Sequence, residues 1–256
     1  MTKVNNSFEK ILKKYNYRLN SGDIVAGTII YKESHGFLVN IGDKILGYLP
    51  QEETNIIIDY NNNKNFLINI TREFFLIKHN EDRKQYILSI KRLEYIRSWK
   101  RIKQLQLENI IFNLKIHYSN KGGLITYLEN IQAFIPKSHT LDQNNQFKNY
   151  EIKCKILITD EQKNQLILSN KSAILQLSIH KFRLGELLYG SIVKIKNYGL
   201  FVKIYNTIAL LHISEVGYKY INDLNKIFYI GKLIKIKIMH INIKQGRLSV
   251  SKRNIK

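Results

Sequence analysis

A single cysteine, Cys154, stands in the 256 residues, so no intramolecular disulfide can form, and no zinc site can be assembled around it by spacing. It lies in Ile152-Lys153-Cys154-Lys155-Ile156, where the alternation turns the thiol inward, and a buried core residue in a reducing compartment is expected. No apolar run approaches the roughly 20 residues that cross a bilayer, so a membrane partner is not expected. The first ten residues have neither the apolar stretch of a secretory signal nor the Arg- and Ser-rich pattern of a transit peptide, which points to synthesis in the compartment of use. Acidic residues are scarce: 20 Asp and Glu face 41 Lys and Arg, a formal charge of +21, and none follows Asp223. Such a field attracts polyanions and resists self-association, which makes nucleic acid the leading partner. The abundance of Lys, Asn and Ile has a second reading, drift in AT-rich coding sequence, which takes part of the charge out of the argument.

Hydrophobic residues make up 44% of the chain and tyrosines number 16, enough for ordinary cores with stacking rings to spare. The chain repeats itself. Leu-Ser pairs occur at Leu88-Ser89, Leu168-Ser169 and Leu248-Ser249, intervals of 168 − 88 and 248 − 168, each 80 residues. Upstream of each lies a glycine followed by apolar residues: Gly36-Phe37-Leu38-Val39, Gly123-Leu124-Ile125 and Gly199-Leu200-Phe201-Val202. A second phrase follows about a dozen residues on: Gly47-Tyr48-Leu49-Pro50, Ala133-Phe134-Ile135-Pro136 and Ala209-Leu210-Leu211-His212.

These runs alternate as strands do, with Ile234, Ile236 and Ile238 on one face and Lys235 and Lys237 on the other. Four to five strands per repeat suit a closed barrel, and Gly36, Gly123 and Gly199 fit a bend where a Cβ would crowd the neighbouring strand. Leu93, Ile96, Trp99, Ile102 and Leu105 recur every third position and predict a linker helix; Ala173, Ile174 and Leu177 predict a weaker one, and Phe8, Ile11, Leu12 and Tyr15 a helix at the start. Asn61-Asn62-Asn63 reads as solvated loop. The expected layout is mainly β: a helix over 1–17, barrels over 18–92, 108–172 and 184–256, and linker helices over 93–107 and 173–183.

The phrase Gly190-Ser191-Ile192-Val193-Lys194-Ile195-Lys196-Asn197-Tyr198-Gly199-Leu200-Phe201-Val202, followed by Leu210-Leu211-His212-Ile213-Ser214-Glu215 and closed by Leu248-Ser249, resembles the S-one RNA-binding motif, a five-stranded OB-fold barrel. Lys121-Gly122-Gly123-Leu124 and Ala133-Phe134-Ile135-Pro136-Lys137-Ser138-His139, with the Trp99 linker and Arg72-Glu73-Phe74-Phe75, resemble the three-repeat form of the small-subunit ribosomal protein S-one family of cyanobacteria and plastids. The resemblance spans about residues 8–253 and implies a non-catalytic, ribosome-associated protein of the plastid stroma, or of a bacterial cytoplasm. Its implied partners are single-stranded messenger RNA, ribosomal RNA and small-subunit proteins, with no cofactor, metal or small-molecule substrate. Many family members are acidic; this chain is not.

By the same resemblance Tyr198 and Phe201 would stack on bases, His212 would stack or hydrogen-bond beside them, and Arg247 would meet phosphate. Lys194, Lys196 and Lys203 lie on or beside those strands, and His35 and Lys121 are candidate contacts in repeats one and two. The competing reading buries Phe201 or Tyr198 in the core, since only one parity of a strand faces inward. Repeats one and two put Leu38 and Ile125 where repeat three has Phe201, His35 and Gly122 for Tyr198, and Pro50 and Pro136 for His212. These substitutions predict weaker RNA binding there and, by the family resemblance, a role in anchoring to the ribosome.

Two rival functions remain on sequence grounds. A nuclease would need matched carboxylates, yet Glu52-Glu53, Glu81-Asp82 and Asp160-Glu161 fall in predicted loops, and His35, His117, His139 and His212 lie on different elements. A free RNA chaperone or transcription-linked factor built from the same module is the closer alternative.

Overall fold

The computed structural model describes residues 19–54, 68–80, 85–141, 151–217 and 223–255. The expected N-terminal helix, the Asn61-Asn62-Asn63 loop and Glu81-Asp82 lie outside the described residues. The chain divides into two compact units, residues 1–97 and 98–256.

In the first unit β1 (Ile24–Lys32), β2 (Gly36–Asn40), β3 (Gly47–Pro50), β4 (Thr71–Asn80) and β5 (Gln85–Ser89) close a barrel in the order β1-β2-β3-β5-β4. Every neighbouring pair is antiparallel except β3 with β5, which is parallel. Alternation fills it: Val25, Ile29, Phe37, Val39, Leu49, Phe74, Leu76 and Leu88 are buried together. Helix α1 (Ile90–Leu107) follows β5 with no intervening loop. Ser89 makes this possible, its Oγ accepting from the backbone N of Arg92 at 2.8 Å as an N-cap while donating to Glu53 at 2.5 Å.

The second unit contains the next two barrels. Strand one of the middle barrel is broken into β6 (Ile111–Lys115) and β7 (Tyr118–Ser119), with Ile116 and His117 between them. With β8 (Gly123–Leu128), β9 (Ile131–Pro136), β10 (Glu151–Asp160) and β11 (Gln165–Ser169) these form a sheet of order β6-β10-β11-β9-β8-β7. Its two edges are the halves of one interrupted strand, so the path is that of the closed barrels. Trp99, Ile102 and Leu105 of α1 join its core with Leu124, Ile135, Cys154 and Leu168. Helix α2 (Asn170–Leu177) again follows the fifth strand directly, capped by Ser169 Oγ accepting from Ser172 N at 3.1 Å. The third barrel, β12 (Leu187–Lys196), β13 (Gly199–Ile204), β14 (Thr207–His212), β15 (Leu233–Asn242) and β16 (Arg247–Ser251), closes in the order β12-β13-β14-β16-β15. Ile234, Ile236 and Ile238 lie in its core, as their alternation requires.

The linker helices begin at Ile90 and Asn170, three residues before the expected 93 and 173, because the last serine of strand five is itself the cap. The register also corrects the third Leu-Ser match. Tyr48 pairs with Ile87, Phe134 with Ile167 and Leu210 with Ser249, so the equivalent of Leu88 and Leu168 is Val250 and not Leu248. The true interval is 250 − 168, or 82 residues. A shift of two keeps each side chain on its face, which is why the sequence tolerates the false alignment. The second-strand glycines are needed where they fall: a Cβ on Gly36, Gly123 or Gly199 would run into the carbonyl oxygen of Leu49, Ile135 or Leu211 on strand three.

Two measurements test this packing. Replacing Trp99, which is fully buried, by Ala should cost about 3–5 kcal/mol, read by circular dichroism during urea unfolding. Burial pushes the Cys154 thiol up to about 12; since the thiolate is the reactive form, a disulfide reagent at mildly alkaline pH should leave the folded protein unmodified and label it only after denaturation.

Candidate nucleic-acid interface

In the third barrel Leu200, Val202 and Ile204 of β13 point into the core, which sends Phe201 and Lys203 outward. Strand pairing then builds a wall in rows. Lys194, Phe201, Leu210 and Ser249 lie side by side across β12, β13, β14 and β16. Lys196, Gly199 and His212 form the row on one side of it, and Ser191, Lys203 and Ile208 the row on the other. An irregularity in β12 between Ile192 and Lys194 leaves Val193 unpaired and aims Lys194 onto the wall. Tyr198, in the turn before β13, is 51% exposed and stands edge-on to Phe201, ring centroids 6.2 Å apart. Both rings are outside the barrel, so the reading that buries them in the core is excluded. His212 ends β14 and caps the turn at Ile213–Glu215, its Nδ1 accepting from Ser214 N at 3.3 Å and lying 2.8 Å from Ser214 Oγ.

Arg247 opens β16 at a junction between the second and third barrels. The residue before it, Gly246, has φ of 63° and sits on the start of α2: a Cβ there would lie 2.5 Å from Ser172 N and 2.7 Å from the carbonyl carbon of Lys171. Ser172 Oγ donates across the same contact to Ile243 O at 2.7 Å. Lys171 Nζ donates to Ser138 O at 2.5 Å, and His139 Nδ1 lies 3.0 Å from Ser169 Oγ. Burial, then the like charges of Arg247 and Lys194, hold Lys171 below the usual lysine range. Burial, then Lys171 and Arg247, do the same to His139. Among the described residues none of Lys171, Lys194 and Arg247 is paired with a carboxylate. Cations crowded by a fold gain from an arriving anion, because it relieves their mutual repulsion. Sequence reasoning missed Lys171 and His139, since only the seating of the β15–β16 turn on α2 brings them to Arg247.

Barrels one and two have walls in the same register. Gly36 pairs with Pro50 and Gly123 with Pro136, as Gly199 does with His212, so the matches of Leu38 and Ile125 to Phe201 hold in space. His35 and Lys121 are exposed just before the second strands of barrels one and two. The rows through Leu38 and Ile125 carry rings that sequence reasoning passed over: Tyr31, Leu38, Tyr48 and Ile87 in barrel one, and Tyr118, Ile125, Phe134 and Ile167 in barrel two.

Three of the scattered carboxylates have structural partners. Glu53 accepts from Ser89 Oγ, Asp160 pairs with Lys163 at 3.7 Å, and Glu161 with Lys103 at 2.5 Å. Among the described residues no group of three or more His, Cys, Asp or Glu could hold a metal ion.

Five-stranded barrels with a parallel closure between strands three and five, and rings and cations on the wall of strands one to three, define an OB-fold module of the nucleic-acid-binding type. The S1 RNA binding domain family matches residues 18–91 and 181–253, the first and third barrels. The chain is 46% identical over 98% of its length to the small ribosomal subunit protein bS1c of Pyropia yezoensis, covering 96% of that protein. It is 44% identical over its whole length to bS1c of Porphyra purpurea, all of which it covers, and 34% identical over 97% to bS1A of Synechocystis, covering 76%. The chain belongs to the bS1 family of small ribosomal subunit proteins.

The junction cations give a direct prediction. In RNA titrations across salt concentrations, Lys171→Ala and Arg247→Ala should each flatten the dependence of log K on log salt by about 0.7, with little change in the thermal unfolding of the free protein.

Proposed function

We propose that this chain is a non-catalytic RNA-binding protein of the plastid small ribosomal subunit, which captures the single-stranded leader of messenger RNA and holds it for initiation. The observation that carries this reading is the outer wall of the third barrel. Tyr198 and Phe201 stand outside the core with Lys194, Lys196, Lys203 and His212 on the neighbouring rows, in a chain of the bS1 family. Unpaired bases stack on such rings while the lysines and Arg247 neutralise phosphates, which gives part of the +21 charge a use. Stacking accepts every base, so binding follows lack of RNA structure more than sequence. The plastid assignment draws on the red-algal bS1c relatives, and attachment to the subunit is the part we give to barrels one and two.

If about five phosphates are neutralised, log K for a single strand falls against log salt with a slope near −3.5. A flat response would remove the basic surface from the contact. Replacing Tyr198, Phe201 and His212 together by Ala should lower single-strand affinity by several kcal/mol while leaving the fold intact, since all three lie outside the core. In sucrose gradients the protein should travel with small ribosomal subunits. Protein that stays at the top while still binding RNA would instead favour a free RNA factor.

A further inference from the structure

Phe75, Lys155 and Lys237 hold one position in the three barrels: each lies on strand four, paired on one side with the serine that ends strand five and on the other with strand one. Alternation turns all three outward, onto the wall of strands one and four. In barrels one and two the helix that follows strand five rests there. Arg92 of α1 lies over the Phe75 ring, 5.6 Å from its centroid, and Arg97 pairs with Glu73 beside it. Gln176 of α2 accepts from Lys155 Nζ at 2.7 Å, and Lys155 is buried although it points away from the barrel core.

Barrel three reaches the same serine and then departs. Ser251 Oγ accepts from Arg253 N at 3.0 Å, two residues on, whereas Ser89 and Ser169 accept from the third residue on and so cap a helix. Lys252 N donates to Glu215 O at 2.8 Å, which holds the chain against the Ile213–Glu215 turn, and Asn254 has φ of 58°. Lys237 is exposed.

The side chains around Lys237 are those of a surface that is covered. Leu187, Tyr189 and Leu233 point outward from β12 and β15, since Ile192, Ile234 and Ile236 fill the core, and they are 49%, 68% and 69% exposed. The equivalent places hold Ile24, Ala26 and Thr71 in barrel one and Ile111, Asn113 and Glu151 in barrel two. The wall without a helix is therefore the most apolar of the three. Ile230 and Tyr229 extend it, in a segment that Gly231 N ties to Ile192 O at 2.7 Å. A contiguous exposed patch of this kind marks an interaction site. Lys235 and Lys237 stand among its apolar residues, and β12 and β15 carry no Asp or Glu.

Leucines beside a tyrosine suit a protein surface better than a file of bases, which needs successive stacking faces. What the other two barrels seat on this wall is a helix, and the lysines ask for an acidic one. The first residues of this chain have the wrong sign, with Lys3, Lys10, Lys13 and Lys14 against Glu9, and a second copy at +21 is repelled. We propose that the wall of β12 and β15 docks an acidic amphipathic helix of a partner protein, seated as α1 and α2 are seated on their barrels. Its apolar stripe covers Leu187, Tyr189 and Leu233, and its carboxylates meet Lys235 and Lys237. Tyr198 and Phe201 lie on the other wall, so barrel three can hold this helix and RNA together.

The test titrates the full chain at physiological salt with a fluorescent helical peptide of about eighteen residues, leucines on one face and glutamates elsewhere, beside a scrambled peptide of the same composition. Anisotropy should show the ordered peptide binding about 10-fold or more tighter than the scrambled one. Tyr189→Ser with Leu233→Ser should remove that advantage, while oligouridine affinity and the circular dichroism of the chain stay as they were. Lys237→Glu should weaken the acidic peptide, and a peptide with lysines for glutamates should prefer the Lys237→Glu chain to the parent. Equal binding of the two acidic peptides, or an advantage that survives both serines, overturns the proposal. So does a fall in oligouridine affinity in the Tyr189→Ser, Leu233→Ser chain, since the wall would then belong to RNA.

Discussion

Strand two approaches strand three so closely at one point in each barrel that no side chain fits between them, at Gly36 against Leu49 O, Gly123 against Ile135 O and Gly199 against Leu211 O. That approach locks the register of the outer wall, because a slip by one residue would drive a Cβ into a carbonyl and turn every inward residue out. Everything chemical about the wall follows from the lock. The same rows recur in all three barrels, so a ring, a lysine or a proline at a given row occupies the same place in each. Evolution of one barrel away from another then consists of exchanging residues on a fixed grid.

The grid is joined to electrostatics at one place in particular. The turn between β15 and β16 rests on the start of α2, and this seat sets Arg247 of one barrel beside Lys171 of another. Positive groups brought together without carboxylate partners cost the free protein some stability, a cost that any bound anion would offset. The net charge is thus partly organised: some of it is spread over exposed strands, and some is concentrated where two barrels meet.

Much of this was legible in the chain. Period-two alternation at Ile234, Ile236 and Ile238 gave the inward face, and recurrence of glycine gave the close approach, since both are local consequences of strand geometry. What escaped was whatever depends on irregular backbone or on contacts distant in sequence. Tyr31 and Tyr118 were invisible as wall residues because the shift in strand one that exposes them leaves no residue-type signature. The Leu248-Ser249 pair misled by two positions, a displacement that conserves facing and so leaves the hydrophobic pattern intact. Lys171 and His139 could be placed near Arg247 only once the seat of Gly246 on α2 was known.

The cap at His212 has a chemical corollary. Because Nδ1 accepts the backbone proton of Ser214, the neutral ring carries its own proton on Nε2. The ring therefore presents to the solvent side a donor and no acceptor, in a direction set by the turn and not by rotation of the side chain. On the function proposed above, a nucleotide laid against this corner would have to offer it an oxygen or an unprotonated nitrogen, which would give a wall otherwise indifferent to base identity one point that reads polarity.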